Sequence, residues 1–375
     1  MAIEYARLLS TNGYKMHLII EMSPNQLKAN ILDIKANLEE YPALTTFNSV
    51  VKKWRLEYLS PYFENCVSVH FAVYPSNGIL QTRSVAKSVQ RYISTIGPDF
   101  IHLDDFSSRT LFFLSYFIKY RKKIVASIHD PLTHSGEFEL QREVYRKIWF
   151  YLIPMFVVFS EFSKTILKPQ LSKNKEITVL KLMPYTVYKS FLAQDVINKH
   201  QPKEYISFVG RISPYKGIDI FVEAAKTISK SFPEAKFLIG GKTARGYQLD
   251  FLSSSHDNIT INHKFLSNSE LSSIIIKSKL IVCPYKDATQ SGVIMTSYAL
   301  GCPVLVTPVG GLPEYVAHNI NGMISEEVSA EAITASISDF LLKNRYQEMK
   351  KVLEENTLKE FEIYNIKKIN KELYQ

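Results

Sequence analysis

The sequence alternates short apolar runs with amphipathic stretches along most of its length, in two similar blocks. In the first block the runs lie at Lys15–Ile20, Cys66–Ala72, Phe100–Leu103, Lys123–His129, Met155–Ser160 and Ile177–Met183. In the second block they lie at Tyr205–Val209, Lys236–Ile239, Ile259–Ile261, Leu280–Pro284 and Pro303–Thr307. Several runs are apolar throughout, which is typical of strands buried on both faces of a parallel sheet. The pattern predicts two doubly wound, Rossmann-like α/β domains.

The polar segment Gln194–Glu204 separates the two blocks and precedes a fresh strand. We therefore predict an N-terminal domain over residues 1–198 and a C-terminal domain over residues 199–357. The remaining residues, 358–375, carry apolar side chains at the spacing of an amphipathic helix.

The first residues do not follow the doubly wound pattern. Ala2, Tyr5, Ala6 and Leu9 fall on one face of a helix, whereas such a domain should open with a strand and a glycine-rich turn. We therefore expect the N-terminal domain to lack its first strand, either because the fold omits it or because the sequence begins late.

Composition excludes several classes of protein. The 375 residues include only three cysteines, which are far apart and form no CxxC pair, so a disulfide scaffold and a zinc ribbon are excluded. No apolar run reaches the length of a membrane span. Glu4 and Arg7 make the first residues unlike a signal peptide, so we expect a cytoplasmic protein in a reducing compartment.

The net charge of +9 is unevenly distributed. Residues 1–200 hold 25 Lys and Arg against 17 Asp and Glu, and the remainder holds 20 against 19. An ordinary solvated basic surface accounts for this distribution, and so does a surface that contacts an anionic membrane. Candidate membrane contacts are Lys52, Lys53, Arg55, Arg121, Lys122 and Lys123, beside Trp54, Tyr58 and Tyr120. No nucleic-acid-binding motif is present, so we expect no nucleic-acid partner.

The loop after the strand Tyr205–Val209 is a candidate phosphate site. It reads GRISPYKG and places Gly210, Arg211 and Lys216 at the carboxyl end of a strand, just before a helix. Ligands bind at that end of open α/β sheets, and two cations there suit a phosphate or pyrophosphate. A plain strand–helix loop with two exposed cations explains the pattern equally well.

A second loop, Tyr285–Gln290, leads into a predicted helix at Val293–Leu300, which Thr289 or Ser291 is expected to cap. The backbone amides of Ser291, Gly292 and Val293 would then point outward as an anion site. Taken alone, an ordinary capped helix is the favoured interpretation of this loop.

Further candidates lie at the ends of two other strands. Gly310-Gly311 follows a strand where the backbone can approach a ligand closely, and Glu314 either faces the cleft or caps the next helix, with a structural role favoured. His129 stands at the end of a buried strand of the first block, followed by weaker candidates at His134 and Glu137. Motifs of zinc proteases, P-loop NTPases, dinucleotide dehydrogenases and α/β-hydrolases are absent.

These elements, in this order, resemble the retaining glycosyltransferases of family four, which have the GT-B fold. The segments of the second block that carry the resemblance are FVGRISPYKGIDIFVEAA, FLIGG, LIVCPYKDATQSGV, ALGCPVLVTPVGGLPEYV and NGMIS. In the first block, SIHDPLTHSGE and VVFSEFSKTIL are similar to the corresponding segments of the family.

The resemblance implies transfer of a sugar from a nucleotide diphosphate sugar to a glycan or lipid-linked acceptor, with retention of configuration and without a metal or other cofactor. It implies that Arg211 and Lys216, with Gly210 beside them, bind the pyrophosphate, that the amides of Ser291, Gly292 and Val293 bind the same phosphates, and that His129 lies near the transferred sugar. It also implies that the C-terminal helix crosses back to the first domain. A hexosyltransferase of cell-surface polysaccharide synthesis, peripheral on the inner face of the membrane, fits these expectations.

The sequence departs from the family at two positions. The family usually carries two glutamates eight positions apart, and here these positions hold Ala288 and Thr296. The alternative function is therefore a non-catalytic GT-B subunit that binds a nucleotide or a protein partner.

Overall fold

The computed structural model describes residues 1–24, 31–32, 34–76, 78–131, 140–192, 203–247 and 258–374, without the side chains of 140–143. Strands of the first half are β1 (His17–Met22), β2 (Leu44–Thr46), β3 (Ser68–Val73), β4 (Ile101–Asp104), β5 (Ile124–Ser127), β6 (Met155–Val158) and β7 (Glu176–Val179). Strands of the second half are β8 (Tyr205–Val209), β9 (Lys236–Gly240), β10 (Ile259–Asn262), β11 (Ser278–Cys283), β12 (Val304–Val306) and β13 (Gly322–Ile324). Every predicted strand is present, and β2 and β13 were not predicted.

Helices connect the strands in both halves. In the first half they are α1 (Ala2–Thr11), α2 (Phe47–Val50), α3 (Ser60–Phe63), α4 (Ile79–Ile96), α5 (Leu114–Tyr120), α6 (Leu140–Leu152) and α7 (Glu161–Leu167). In the second half they are α8 (Ile218–Ser231), α9 (Asn268–Ile276), α10 (Gly292–Ala299), α11 (Ala330–Leu342), α12 (Tyr346–Val352) and α13 (Leu358–Glu372). Each half is therefore a strand–helix alternation, as predicted.

The sheet of the second half is parallel and has the order β10-β9-β8-β11-β12-β13. Buried aromatic and aliphatic side chains such as Phe208, Phe221 and Phe237 fill the layer between this sheet and its helices. The strand order reverses between β8 and β11. In an open α/β sheet, the crevice at such a reversal is where ligands bind.

The strands of the first half form two sheets instead of one. β1 pairs with β3 and β3 pairs in antiparallel fashion with β2, while β4, β5, β6 and β7 form a parallel sheet. Ile19 of β1 and Leu103 of β4 contact one common core cluster. No described strand joins β1 to β4, which agrees with a Rossmann-like domain that lacks its first strand.

The C-terminal helix α13 returns to the first half. The Asn365 side chain accepts a hydrogen bond from the backbone N–H of Lys181 at 2.7 Å and donates one to its carbonyl oxygen at 2.8 Å. Arg7 of α1 forms an ion pair with Glu362 at 2.6 Å. The predicted break at Gln194–Glu204 lies almost entirely outside the described residues, so the boundary at 198/199 stays a prediction.

The basic segment around Trp54 differs from expectation. Trp54 is only 2% exposed and packs edge-on against Phe71 and Tyr41, with ring centroids 4.9 Å away in both cases. Its expected contact with a membrane is therefore wrong, because neighbouring lysines mark a surface turn whose tryptophan points into the core. None of the helices in the described ranges is long and apolar enough to cross a lipid bilayer.

Candidate active site

The loop after β8 is held tightly against the end of β11. Gly217 has a φ of 64°, and a Cβ at this position would lie 1.9 Å from the carbonyl oxygen of Pro284. Only glycine fits both the left-handed conformation and this close approach. The constraint fixes Lys216 beside Tyr285, at the reversal of strand order.

Lys216 is a half-buried cation at this crevice. Its Nζ donates to the Tyr285 hydroxyl at 3.3 Å and lies 4.9 Å from the centre of the same ring. The pKa of Lys216 is lowered to about 8, because burial outweighs the opposing effect of Cys283 and repulsion from Arg211 acts in the same direction as burial. An anion bound here would restore the charge that burial penalises.

Most of the predicted phosphate-binding residues meet at this point. A Cβ on Gly210 would lie 3.5 Å from Lys216 Nζ and 3.5 Å from a methyl group of Val293. The Ser291 hydroxyl is 3.4 Å from that of Tyr285. Gly292 faces the Tyr185 ring, and Arg211 is exposed at the edge of the crevice.

Helix α10 begins without a side-chain cap. Ser291 is the N-cap residue, but its hydroxyl faces Tyr285, and Thr289 instead donates to Asp130 in the other half. The expected cap by Thr289 or Ser291 is therefore wrong. Among the described side chains none accepts from the first amides of this helix, which leaves a positive helix end directed at the crevice.

His129, one residue beyond Ile128 at the end of β5, faces the cleft between the halves. Its Nε2 donates to Asp104 Oδ1 at 2.8 Å, and its ring stacks on Phe159 with centroids 5.1 Å apart. Burial lowers the pKa of His129, but the bond to Asp104 and its charge outweigh burial and raise it. Burial raises the pKa of Asp104, and the bond to His129 outweighs burial and lowers it. The pair therefore favours an imidazolium beside a carboxylate.

Gln290 meets His129 from the other side of the cleft. When the imidazole is neutral, Gln290 Nε2 donates to His129 Nδ1 at 3.1 Å, and the Gln290 Oε1 is buried and lacks a hydrogen-bond partner within the described part of the chain. An unpaired buried acceptor is costly unless a ligand or water satisfies it. Asp104, His129 and Gln290 thus form a chain of hydrogen bonds that spans both halves.

Glu314 and Gly311 hold the halves together instead of facing a ligand. The Glu314 carboxylate accepts from the backbone N–H groups of Glu161 and Phe162 at 2.7 and 2.9 Å, so it caps α7 across the interface and not the next helix. A Cβ on Gly311 would lie 2.2 Å from Thr289 O and 2.7 Å from Ser160 Oγ. The close approach that Gly310-Gly311 predicts is therefore made by the protein's own backbone.

Two functional candidates escaped the sequence analysis. Asp104 is the last residue of β4, which pairs with the strand that His129 follows. An acidic residue at the end of a strand that neighbours β5 is the sequence feature that could have revealed it. Gln290 had no such sequence feature, because its position depends on how the halves meet.

Ala288 is buried, and the Thr296 hydroxyl donates to Gly292 O within its own helix at 2.9 Å. His134 and Glu137 lie outside the described residues.

Comparison with known sequences finds a family to which the second half is similar. Residues 192–360 match the profile of the family Glycosyl transferases group 1. Over 190 residues the chain is 27% identical to an uncharacterized glycosyltransferase of Methanocaldococcus jannaschii, covering 51% of this chain and 50% of the relative. Over 139 residues it is 31% identical to the D-inositol 3-phosphate glycosyltransferase of Mycolicibacterium smegmatis, covering 35% of this chain and 31% of the relative. The match thus spans half or less of these relatives.

Comparison with solved structures extends the likeness to the whole fold. Sucrose-phosphate synthase from Thermosynechococcus elongatus superposes with a TM-score of 0.62 at 14% identity, covering 96% of this chain and 87% of that one. HepE of Anabaena, solved with UDP and glucose, gives a TM-score of 0.58 at 13% identity, covering 93% and 95%. At such identities the likeness shows the fold, which is GT-B. The chain thus has the GT-B fold, and its residues 192–360 are similar to the glycosyl transferases group 1 family.

Proposed function

We propose that the protein transfers a sugar, with retention of configuration, from a nucleotide diphosphate sugar to a glycan or lipid-linked acceptor. The observation that carries the proposal is the convergence of Lys216 and the uncapped start of α10 at the reversal of strand order. A half-buried cation and a positive helix end suit the diphosphate of such a donor. Arg211 would add a second cation from the edge, so the diphosphate charge is met without a metal.

The reaction would leave negative charge on the departing diphosphate. The bond between the anomeric carbon and the diphosphate oxygen breaks, and the acceptor oxygen bonds to the same face of the sugar. The acceptor proton passes to the departing diphosphate, so no side-chain nucleophile is required. Lys216 and the helix amides would stabilise the growing charge, which is where fixed charges contribute most.

His129 and Gln290 would position the transferred sugar. The imidazole lies at the cleft, held by Asp104, and the free Gln290 Oε1 offers an acceptor to a sugar hydroxyl. We propose that Gln290 supplies a polar contact that the absent carboxylate at Ala288 cannot make. A hexose donor and an acceptor of cell-surface polysaccharide synthesis complete the proposal, with the protein located at the inner face of the membrane.

The test separates binding from turnover. Purified full-length protein is titrated calorimetrically with UDP, GDP, ADP and dTDP, and each matching sugar nucleotide is then assayed for release of the nucleoside diphosphate. We expect one nucleotide to bind and its sugar derivative to be hydrolysed slowly to water in place of the acceptor. Absence of binding by every nucleotide and by inorganic pyrophosphate would contradict the proposal.

A second candidate is a non-catalytic subunit that binds a nucleotide or a protein partner. It is favoured by Ala288 and Thr296, neither of which presents a carboxylate to the cleft. The same assay distinguishes it, because such a subunit would bind a nucleoside diphosphate but release none from any sugar nucleotide.

Nucleoside diphosphate affinity should fall as pH rises through about 8. The pKa of Lys216 is lowered to about 8, so the cation is present below that value and is progressively lost above it. Between about pH 7 and about pH 9 we expect a loss of about tenfold in the association constant, with proton uptake on binding. Calorimetry in buffers of different ionisation enthalpy measures both. Lys216→Arg, which does not titrate in this range, should flatten the profile, and an equally steep profile in that variant would assign the titration to another group.

A further inference from the structure

Helix α6 carries an exposed apolar stripe in addition to its buried apolar face. Val144, Ile148 and Tyr151 follow one another at spacings of four and three residues and are 51%, 36% and 82% exposed. Trp149 and Phe150 fill the core on the opposite side. A surface helix of a globular protein normally directs polar side chains outward, so this outer stripe has no role in the core of the domain.

Helix α5 extends the stripe into a continuous surface. Ile118 is 49% exposed, and together the two helices form an open groove of about 450 Å³. The groove is lined by Leu114, Ile118, Lys147, Ile148, Tyr151 and Leu152. We refer to these six residues together with Val144 as the α5–α6 face.

The described charged side chains around the α5–α6 face are predominantly positive. Residues 106–129 and 144–160 contain seven Lys and Arg and no Asp or Glu. The exposed ones are Lys119, Arg121, Lys122, Lys123 and Lys147. Within the described ranges, no carboxylate forms an ion pair with Lys119, Arg121, Lys122 or Lys147.

Lys175 shows how close the cations lie to the apolar stripe. Its Nζ donates to the carbonyl oxygen of Tyr151 at 2.6 Å, at the end of α6. Burial and then repulsion from Arg121 lower the pKa of Lys175. An anionic partner would relieve this repulsion.

We infer that the α5–α6 face is a docking surface for a lipid bilayer that contains anionic phospholipids. Aliphatic side chains and a tyrosine along an open groove between two helices, rimmed by lysines with long apolar stems, suit the boundary between headgroups and acyl chains. The uncompensated cations select anionic lipids over neutral ones. Of the residues first considered for membrane contact, Arg121, Lys122 and Lys123 border this face, whereas Trp54 is buried and Lys53 pairs with Glu40 at 3.4 Å.

The position of α6 relates this surface to the cleft. The helix connects the carboxyl end of β5, which His129 follows, to the amino end of β6, so it begins at the cleft end of the sheet. A bilayer held on its outer face would lie beside that end of the domain. The consequence for a lipid-linked acceptor rests on the proposed function, whereas bilayer binding itself does not.

The experiment measures flotation of full-length protein with vesicles. One set contains equal parts of phosphatidylcholine and phosphatidylglycerol, and the other contains phosphatidylcholine alone. We expect binding to the anionic set that falls with added salt, and little binding to the neutral set. Ile148→Ser combined with Tyr151→Ser should lower the partition coefficient by about tenfold or more, because the variant removes two apolar side chains from the boundary between headgroups and acyl chains.

Matched variants give the controls. Phe265 and Leu342 of the second half are 67% and 75% exposed, so Phe265→Ser with Leu342→Ser removes comparable apolar groups and should leave binding unchanged. Lys119→Glu with Lys147→Glu should abolish the preference for anionic vesicles without altering the melting temperature. Equal loss in the control pair would overturn the assignment, as would binding that all four stripe and charge substitutions leave intact.

Two further readings complete the test. Light scattering without vesicles reports whether the α5–α6 face joins two copies of the chain, and a dimer that Ile148→Ser with Tyr151→Ser dissociates would replace the bilayer with a second copy. Nucleotide affinity is measured on the same samples. Failure of vesicle binding with intact nucleotide affinity rejects this inference alone, and the reverse result rejects only the proposed enzymatic function.

Discussion

Replacing Lys216 with alanine should weaken nucleoside diphosphate binding by about ten- to over a hundred-fold. The variant removes a charge-assisted contact of about 1.5–3 kcal/mol in a crevice where water screens little. The change should appear in kcat/KM for the sugar nucleotide by a similar factor, because the diphosphate gains charge as the sugar leaves. Calorimetric titration at about pH 7 measures the binding part.

The matched control is Lys230→Ala, which removes an exposed lysine of α8 in the same half. We expect its affinity to equal that of the unaltered protein. Lys216→Arg should recover part of the loss, because the charge remains while the planar guanidinium lacks the compact fit over Tyr285. Unchanged affinity and unchanged kinetics in Lys216→Ala would remove this residue from the proposed site.

Replacing His129 with alanine should lower kcat by about a hundredfold or more while nucleotide affinity stays within about twofold. The imidazole would stabilise charge and orient the sugar, whereas the candidate phosphate contacts lie in the second half of the chain. The measurement pairs steady-state kinetics with calorimetry. Asp104→Asn is the matched variant, because it keeps the size of the side chain and removes the charge that favours the imidazolium.

A merely structural role for His129 predicts a different outcome. The ring packs on Phe159, so alanine would then lower the melting temperature, and ligand binding and activity would fall together. The pH dependence of kcat in Asp104→Asn distinguishes the two roles, because loss of packing alone would not shift it. If the ion pair serves the reaction, the alkaline limb of kcat should shift to lower pH, because the pKa of His129 loses the charge that raises it. An unshifted limb with full activity would assign the pair to stability.

Sequence reasoning predicts well the elements whose structure depends only on the residues of one short segment. β8 and β11 are apolar because both faces of their sheet are covered, and Lys216 follows from the glycines that shape its loop. β2 and β13 are not predicted, because a strand of three residues shows too little periodicity to be recognised. In addition, β2 is antiparallel, whereas the pattern indicates parallel strands. The register of such short strands is set by their neighbours and not by their own side chains.

The contacts that sequence reasoning misses depend on two segments meeting. Gln290 and His129 are 161 positions apart, so their bond depends on the closure of one half on the other. The same holds for Glu314, which caps a helix far away in the chain instead of the next one. Trp54 misleads for a local reason, because the lysines before it and Arg55 after it lie on the outside of a turn whose indole points inward.

The contacts between the halves are of two kinds, polar and apolar, and they differ in the free energy that it costs to separate them. At the cleft, Asp130 meets Thr289, His129 meets Gln290 and Glu314 meets α7, through polar groups that water satisfies at little net cost when they separate. In addition, Leu182 and Val187 lie buried in an apolar core that continues into the second half. Separation there would expose apolar surface, which water does not compensate. Any separation of the halves would therefore begin most readily at the polar contacts around His129, and the shared apolar core would resist it.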